Sequence, residues 1–292
     1  MPRRAGPSIL ASPRASRLAA LAVALISATA AAAGPPQRVV SLNLCTDQLA
    51  MMLAAPGQLI SVTHTAADPM MSVMADQAAG FHLNRARAEE IHALAPDLVL
   101  ATIWTPPHTL SLLERLGIPV QRMPLAARLQ EIPDNIAQIG ALLGREDEAA
   151  ALIADFHAGL QALAPPGLDV NDHGRPRAVL HNANNYTSGA DTMAGELLAL
   201  AGLANIADEA GISGGGNLAM EQIVMLAPDL VIQSERYPGA SRAEAVMDHP
   251  AIATLRDRGG GALADAEWVC GTPHVLRAVA RLTALRDSVA AP

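Results

Sequence analysis

The sequence has no lysine, six aromatic residues and two cysteines among its 292 residues. Without lysine the phosphate-binding motif G-x-x-x-x-G-K-[S/T] cannot occur, which excludes the nucleotide-binding proteins that depend on it. Four of the twenty arginines, but no acid, lie in the segment 1–33. The remainder carries 16 basic against 28 acidic residues, a net charge of −12. This charge argues against nucleic acid or an anionic membrane surface as a partner, and it permits a basic surface on a partner protein.

The segment 1–33 has the pattern of a cleavable secretory signal peptide. An arginine-containing leader precedes an apolar run over residues 18–26, and small residues over 27–33 offer A-x-A cleavage sites. The run is too short and too rich in small residues for a stable membrane span. Because no later apolar run reaches membrane length, we expect a soluble mature protein exported to the periplasm.

The two cysteines, Cys45 and Cys270, lie near opposite ends of the predicted mature chain. Cysteines in an oxidising compartment can pair, and a bond between these two, one in each predicted lobe, would link the lobes covalently. Two separate, half-buried thiols are the other interpretation. The sequence leaves both open.

A twelve-residue segment occurs twice, as EEIHALAPDLVL at 89–100 and EQIVMLAPDLVI at 221–232, with eight identical positions. In each copy the isoleucine and the leucine three residues later share one face of a short helix. The proline ends that helix, and the apolar run after the aspartate suits a buried parallel strand. Glu89 and Glu221 open the copies and point to solvent, because each lies about 200° round the helix from the isoleucine.

The repeat indicates one unit used once in each of two similar lobes, since the interval between its copies is too long for a solenoid. Strands alternate with helices around both copies, which predicts an α/β fold with two Rossmann-like parallel sheets. We predict a signal peptide at 1–33, an N-terminal lobe at 35–143 and a C-terminal lobe at 175–292. One long helix at 145–164 is predicted to connect the lobes.

Five of the six aromatic residues are predicted to lie beyond strand ends or in loops, whereas Phe156 lies within a helix. Ligands of open parallel sheets bind beyond the carboxyl ends of the strands, so these rings mark a cleft between the lobes. Flat apolar rings with polar edges suit a bulky ligand. The alternative is that they cap the two cores from the rim. The five residues are Phe81, Trp104, Tyr186, Tyr237 and Trp268.

The motifs that would indicate an enzyme or a metal site are weak. Residues 211–215 match the serine-hydrolase pattern G-x-S-x-G, but no strand precedes them, so we interpret 211–216 as a flexible loop. None of the nine histidines has the spacing of a structural zinc site. The best trio for a bare metal ion is His64, His181 and Asp265. We therefore predict no catalytic residues and no metal site.

The two E-x-I-x-x-L-x-P-D-L-V units, the opening Arg38-Val39-Val40-Ser41-Leu42 and the two-lobe order after a signal peptide resemble the periplasmic binding proteins for cobalamin, ferric siderophores and haem. These are the substrate-binding components of ABC importers, and the resemblance extends over the whole mature chain. It implies a class III fold, in which one long helix joins the lobes and the ligand cleft lies between them.

The resemblance also implies the function. The protein would not be an enzyme and would have no cofactor of its own. It would carry a cobalt or iron chelate, cobalamin or a ferric siderophore, to the permease dimer of the inner membrane. Haem or bare zinc or manganese is the alternative within the same fold. Glu89 and Glu221 would dock onto arginines of the permease, one lobe to each subunit, although Glu90 competes with Glu89 for the first position.

For the ligand, the resemblance points to the loops before the first repeat and before the last helix, which hold Phe81-His82 and Trp268-Val269-Cys270. The expected tryptophan is absent from the first loop, and the loop after strand one has larger residues than is common. Arginines available to an anionic siderophore are Arg85, Arg87 and Arg236. The predicted ligand-binding residues are Asn43, Cys45, Thr46, Phe81, Trp104, Tyr186, Tyr237 and Trp268.

Overall fold

The computed structural model describes residues 34–163, 174–236, 238–239 and 241–290. The predicted signal peptide lies outside these residues and stays a prediction. By its contacts the chain divides into Met1–Gly34 and Pro35–Pro292, and the fold described below is that of the second unit. None of the helices in the described ranges is both long enough and apolar enough to span a lipid bilayer.

The first half of the protein, residues 35–143, contains a five-stranded parallel sheet in the order β3-β2-β1-β4-β5. The inner strands β1 and β4 are buried at every position, as expected of strands with helices on both faces. The strands are β1 Val39–Ser41, β2 Leu59–Thr63, β3 His82–Asn84, β4 Leu98–Thr102 and β5 Val120–Met123. The helices of this half are α1 Leu44–Leu53, α2 Ala75–Ala78, α3 Ala88–Ala93, α4 Pro107–Arg115 and α5 Ile132–Leu143.

Helix α6 (Glu146–Leu163) then leads to the second half, residues 175–290, where a four-stranded parallel sheet has the order β11-β10-β6-β8. A separate antiparallel pair joins β7 to β9. The strands are β6 Arg177–Leu180, β7 Tyr186–Ser188, β8 Ala204–Asn205, β9 Gly215–Asn217, β10 Leu230–Ser234 and β11 Gly260–Leu263. The helices are α7 Met193–Leu200, α8 Ile206–Glu209, α9 Met220–Leu226, α10 Pro250–Arg256 and α11 Val275–Ala290.

The predicted fold class is confirmed, because helices alternate with parallel strands in both halves. The long helix α6 lies between the two sheets in the chain and packs against α5 and α11. At Gly159 of α6 a Cβ would come within 2.5 Å of Leu276 Cδ1, so the glycine permits the close approach of α11. The largest buried cluster runs from Leu100 through Phe156 on α6 to Leu282, so the halves share one hydrophobic core. The exact lobe boundaries stay a prediction.

Two loop predictions were wrong. His82, expected in a loop with Phe81, begins strand β3, which lies at the sheet edge and has two exposed residues of three, so it lacks the apolar pattern of an inner strand. The predicted loop at 211–216 contains the start of β9. There a Cβ on Gly215 would lie 1.9 Å from the hydroxyl of Tyr186, so glycine is what lets the two strands pair.

The duplicated segment has the same structure in both halves. Each copy is a short helix, a turn and an inner strand, with β4 or β10 at its end. The turn residues Ala95 and Ala227 adopt left-handed backbone conformations, with φ of +46° and +44°. Each precedes a proline, which disfavours a further helical residue at that position. The predicted helix–turn–strand unit is therefore present twice with one geometry.

Candidate functional site

Two neighbouring cavities form a cleft at the carboxyl ends of the two sheets. Their volumes are about 380 and 310 Å³, and Asp265 and Val269 border both. The first cavity is bordered by loops of the first half together with Cys270. The second is bordered by loops that follow β6 and β10 in the second half. This is the edge at which open parallel sheets bind ligands.

The wall from the first half is built by the loops after β1 and β4. Asn43 ends the first loop, and its side chain caps α1 by accepting the amide of Cys45 at 2.9 Å. Trp104 follows β4 with its amide bonded to Thr102 Oγ1 at 3.2 Å, and 72% of the residue is exposed. An indole left this exposed beside a cavity offers flat apolar area to a ligand.

The wall from the second half carries Tyr186 and Trp268. Tyr186 is reached through Asn184 and Asn185, both at φ +57°, a conformation that asparagine tolerates better than most residues. Asn185 Oδ1 lies 3.0 Å from His181 Nε2, and its carbonyl accepts the amide of Leu218 at 3.0 Å, so the turn is held on two sides. Trp268 packs partly against the shared core while it borders the second cavity.

Five of the eight predicted ligand residues border the cleft: Asn43, Cys45, Trp104, Tyr186 and Trp268. Two others do not. Thr46 is buried, with its hydroxyl 2.7 Å from Ser41 Oγ, and Phe81 packs against the main hydrophobic cluster. Tyr237 lies outside the described residues. That any of them contacts ligand stays a prediction.

Cys45 and Cys270 form a disulfide bond, so of the two interpretations that the sequence left open, the structure has the bond. Their Cα atoms are 4.8 Å apart although 225 residues separate them in sequence. Both cysteines border the first cavity. The bond therefore joins the two walls of the cleft directly.

The three residues considered for a bare metal ion do not form a cluster. His181 is fully buried and lies between Asn185 and Gln233, whereas His64 is exposed. In the part of the chain that the structure describes, no three His, Cys, Asp or Glu side chains lie close enough to hold a metal ion. Burial lowers the pKa of His181, and the hydrogen bond that its ring makes to Asn185 Oδ1 opposes this shift.

The cleft is lined by acids. Glu235, Glu244 and Asp265 border the second cavity, and no arginine or histidine in the described ranges borders either one. Burial raises the pKa of Asp265, the hydroxyl of Ser234 at 3.2 Å opposes this, and the nearby charge of Glu235 raises it further. Of the arginines considered for an anionic ligand, Arg236 is paired with Asp248 at 2.6 Å. Arg85 and Arg87 border a different cavity.

Glu89 and Glu221 are exposed in the first turns of α3 and α9, and neither carboxylate forms a hydrogen bond or ion pair within the described residues. Glu90, in contrast, accepts the amide of Arg85 at 3.0 Å. Both helices run against the direction of the strands, so their first turns lie at the carboxyl edges of the sheets. Glu89 shares a cavity with Pro106, two residues after Trp104, which places it beside the cleft.

Comparison with known proteins agrees with this architecture. Residues 39–256 match the family described as periplasmic binding protein. The chain belongs to this family. A cobalamin-binding protein of Halobacterium salinarum strain R1 is 29% identical over 198 residues, which are 68% of this chain and 53% of that one. This chain thus spans about half the length of that relative.

Two further matches are informative. An uncharacterized ABC transporter substrate-binding lipoprotein, YvrC of Bacillus subtilis, is 24% identical over 228 residues, 73% of this chain and 71% of that one. The periplasmic haem-binding protein RhuT from Roseiflexus sp. RS-1, in its apo form, has a TM-score of 0.70 at 22% identity. The match covers 87% of this chain and 99% of RhuT, which establishes a shared fold.

Several cleft residues of this periplasmic binding protein were missed by the sequence reasoning. Met70 and Met71 follow β2, Asn182 follows β6, and Ser234 ends β10. All lie at or beyond the carboxyl ends of parallel strands, so the rule that selected the aromatic residues would also have found them.

Proposed function

We propose that the protein binds a metal chelate, cobalamin in the first place, and delivers it to an ABC permease of the inner membrane. The family membership supports a solute-binding role, and the names of two relatives refer to cobalamin and to ABC transport. The two joined cavities and the exposed ring of Trp104 suit a large, partly flat ligand.

The single observation that carries the choice of ligand is the charge of the cleft. Three carboxyl groups border it, and none of the described bordering residues is basic. Haem carries two carboxylates, and many ferric siderophores are anionic. Binding either one in this cleft would bring like charges together, which weakens the affinity. The corrin ring of cobalamin is edged with neutral amides, whose N–H groups donate to carboxylates.

Haem is the second candidate. The fold is shared with a haem-binding protein, and the thioethers of Met70 and Met71 border the first cavity, where one could ligate iron. A bare metal ion is not kept as a candidate, because His64, His181 and Asp265 do not come together.

The protein needs no resident cofactor in this proposal, and it acts as a carrier rather than as an enzyme. The chelate is its cargo. Glu89 and Glu221 dock onto arginines of the permease, one acid for each subunit. Their exposure, and the absence of partners for them within the described residues, supports this role. Next to Glu221, the exposed side chains of Val224 and Met225 extend the contact surface on the same helix face.

Titration of the purified mature protein with cyanocobalamin, haemin, a ferric hydroxamate and zinc tests the proposal. We expect cyanocobalamin to bind and to raise the melting temperature, because a ligand of the folded state stabilises it by mass action. Tight binding of haemin without binding of cyanocobalamin would show that the ligand is haem rather than cobalamin. Stabilisation by zinc alone would refute the chelate hypothesis.

A further inference from the structure

The Cys45–Cys270 bond joins the two halves of the protein at the cleft itself. Cys45 is the second residue of α1, two positions after the capping residue Asn43 of the first wall. Cys270 directly follows Trp268 and Val269, which border the second cavity. The sulfur bridge thus lies between the segments that carry the two walls, and both of its residues border the first cavity.

Non-covalent contacts hold the same segments together. Thr272 Oγ1 donates to Gln48 Oε1 at 3.2 Å, and both side chains are buried. Between them and the disulfide, Gly271 has φ +54°, and a Cβ there would lie 2.8 Å from Ala126 of the first half. The segment 268–272 therefore belongs to the second half by sequence but is packed against the first half.

We propose that the Cys45–Cys270 disulfide is a positioning device and a part of the ligand-binding surface: it fixes the segment 268–272, and with it the width of the cleft, before ligand arrives. This inference rests on the proposed function for its ligand. A cleft held near its bound width loses little conformational entropy on binding. Without the bond, only the fraction of molecules with the walls correctly spaced would bind, which weakens the apparent affinity.

A second contact between the halves provides a matched control. Glu196 on α7 accepts the amide of Leu129 at 2.7 Å and is also bonded to the guanidinium of Arg128. This link joins the halves as the disulfide does, but none of its three residues borders either cavity. Loss of this link should weaken the contact between the halves without changing the position of the segment 268–272.

The experiment compares wild type, Cys45→Ser with Cys270→Ser, and Glu196→Gln. Cyanocobalamin affinity is measured by calorimetry, and hydrogen exchange is followed in the peptide that contains 268–272. We expect the double variant to bind about tenfold more weakly and to exchange faster in this peptide, because pre-organisation is lost. Glu196→Gln should stay near wild type in both. Wild-type affinity in the double variant would overturn the proposal, even with a lowered melting temperature.

Should the double variant fail to fold, wild type can be reduced instead. Dithiothreitol gives two electrons and two protons to the disulfide, which yields two thiols and the oxidised cyclic reagent. Anaerobic desalting then removes the reagent before titration. If wild type binds no cyanocobalamin, the proposed function fails, and hydrogen exchange alone decides this inference. Unchanged exchange at 268–272 after reduction would overturn it, and faster exchange confined to this segment would support it.

Discussion

The main-chain amide of Arg38 donates to Oδ1 of Asp97 at 2.8 Å, although 59 residues separate the two. The second half repeats the contact, with the amide of Arg177 bonded to Asp229 at 2.7 Å. In both halves the arginine side chain also donates to a carbonyl at the end of the repeated helix, at 2.6 Å to Leu94 or Leu226. The duplicated unit is therefore closed by an arginine that lies outside the repeated segment.

This closure predicts that Arg177→Met destabilises the protein. The substitution leaves helix-end carbonyls and the carboxylate of Glu209 without their donor, at a cost of about 1–3 kcal/mol. Urea unfolding should show a lower midpoint with an unchanged slope. Arg115→Met is the control, since Arg115 is exposed in the last turn of α4. Equal midpoints for both variants would contradict the assigned role.

The repeated segment shows which features the sequence predicts and which it does not. Spacing and proline placement predicted the helix, the turn and the inner strand, because these depend on local periodicity. The arginine contacts were not predicted, since they join segments that lie far apart in the chain. The same limit applies to Cys45 and Cys270: nothing local distinguishes a bonded pair from two thiols.

The cleft was predicted in part for a similar reason. Trp104 and Tyr186 could be predicted at the cleft because both lie just beyond parallel strands. The order of strands and helices alone determines that the carboxyl ends of such strands share one edge of the sheet. Thr46 follows the same strand as Asn43, yet the first turn of α1 rotates it inward to Ser41. Which side of a helical turn faces a cavity depends on packing with distant residues, and the sequence of a short segment does not predict that packing.

Asp47 predicts an unusual pH dependence of stability. The residue is fully buried in α1, and burial raises the pKa of its carboxyl from 3.8 to about 7, against hydrogen bonds from Ser41 and Thr63. The folded state thus binds this proton more tightly than the unfolded state does. The resulting stabilisation is complete below the unfolded pKa, near 3.8, and is lost as the pH rises through about 7.

The measurement is the free energy of unfolding between pH 4.5 and 7.5 for wild type and Asp47→Asn. Asparagine is neutral and keeps an acceptor for the amide of Thr63. The wild-type value, relative to the variant, should fall with rising pH by at most about 1.4 kcal/mol per pH unit. Parallel profiles would show that Asp47 titrates alike in both states.

The two tryptophans of the cleft predict separable effects. Trp104 is largely exposed and Trp268 packs against the core. Trp104→Ala should weaken cyanocobalamin binding by about 2 kcal/mol, roughly thirtyfold in Kd, and leave the melting temperature unchanged. Trp268→Ala should lower both affinity and melting temperature, because it also leaves a cavity at the core. Calorimetry and thermal unfolding of each variant check this, and a large stability loss for Trp104→Ala would contradict it.

Glu89 and Glu221 predict a loss of transport without a loss of binding. Each acid is exposed, and among the described residues it has no partner to lose on substitution. Glu89→Ala with Glu221→Ala should therefore keep wild-type cyanocobalamin affinity and melting temperature. Uptake should fall to background, because two matched charge pairs fix the orientation of the protein on the permease. Each single variant should retain part of the uptake.

The control is Glu146→Ala with Asp147→Ala, which removes the same charge from the exposed start of α6, away from both repeated helices. The measurement is uptake of labelled cyanocobalamin by cells that carry the cognate permease and lack the chromosomal copy of this protein. Background uptake in both double variants would mean that net charge, rather than the two docking acids, is what the permease senses. Wild-type uptake in Glu89→Ala with Glu221→Ala would remove these acids from the interface, because their free carboxylates would then contribute nothing to docking.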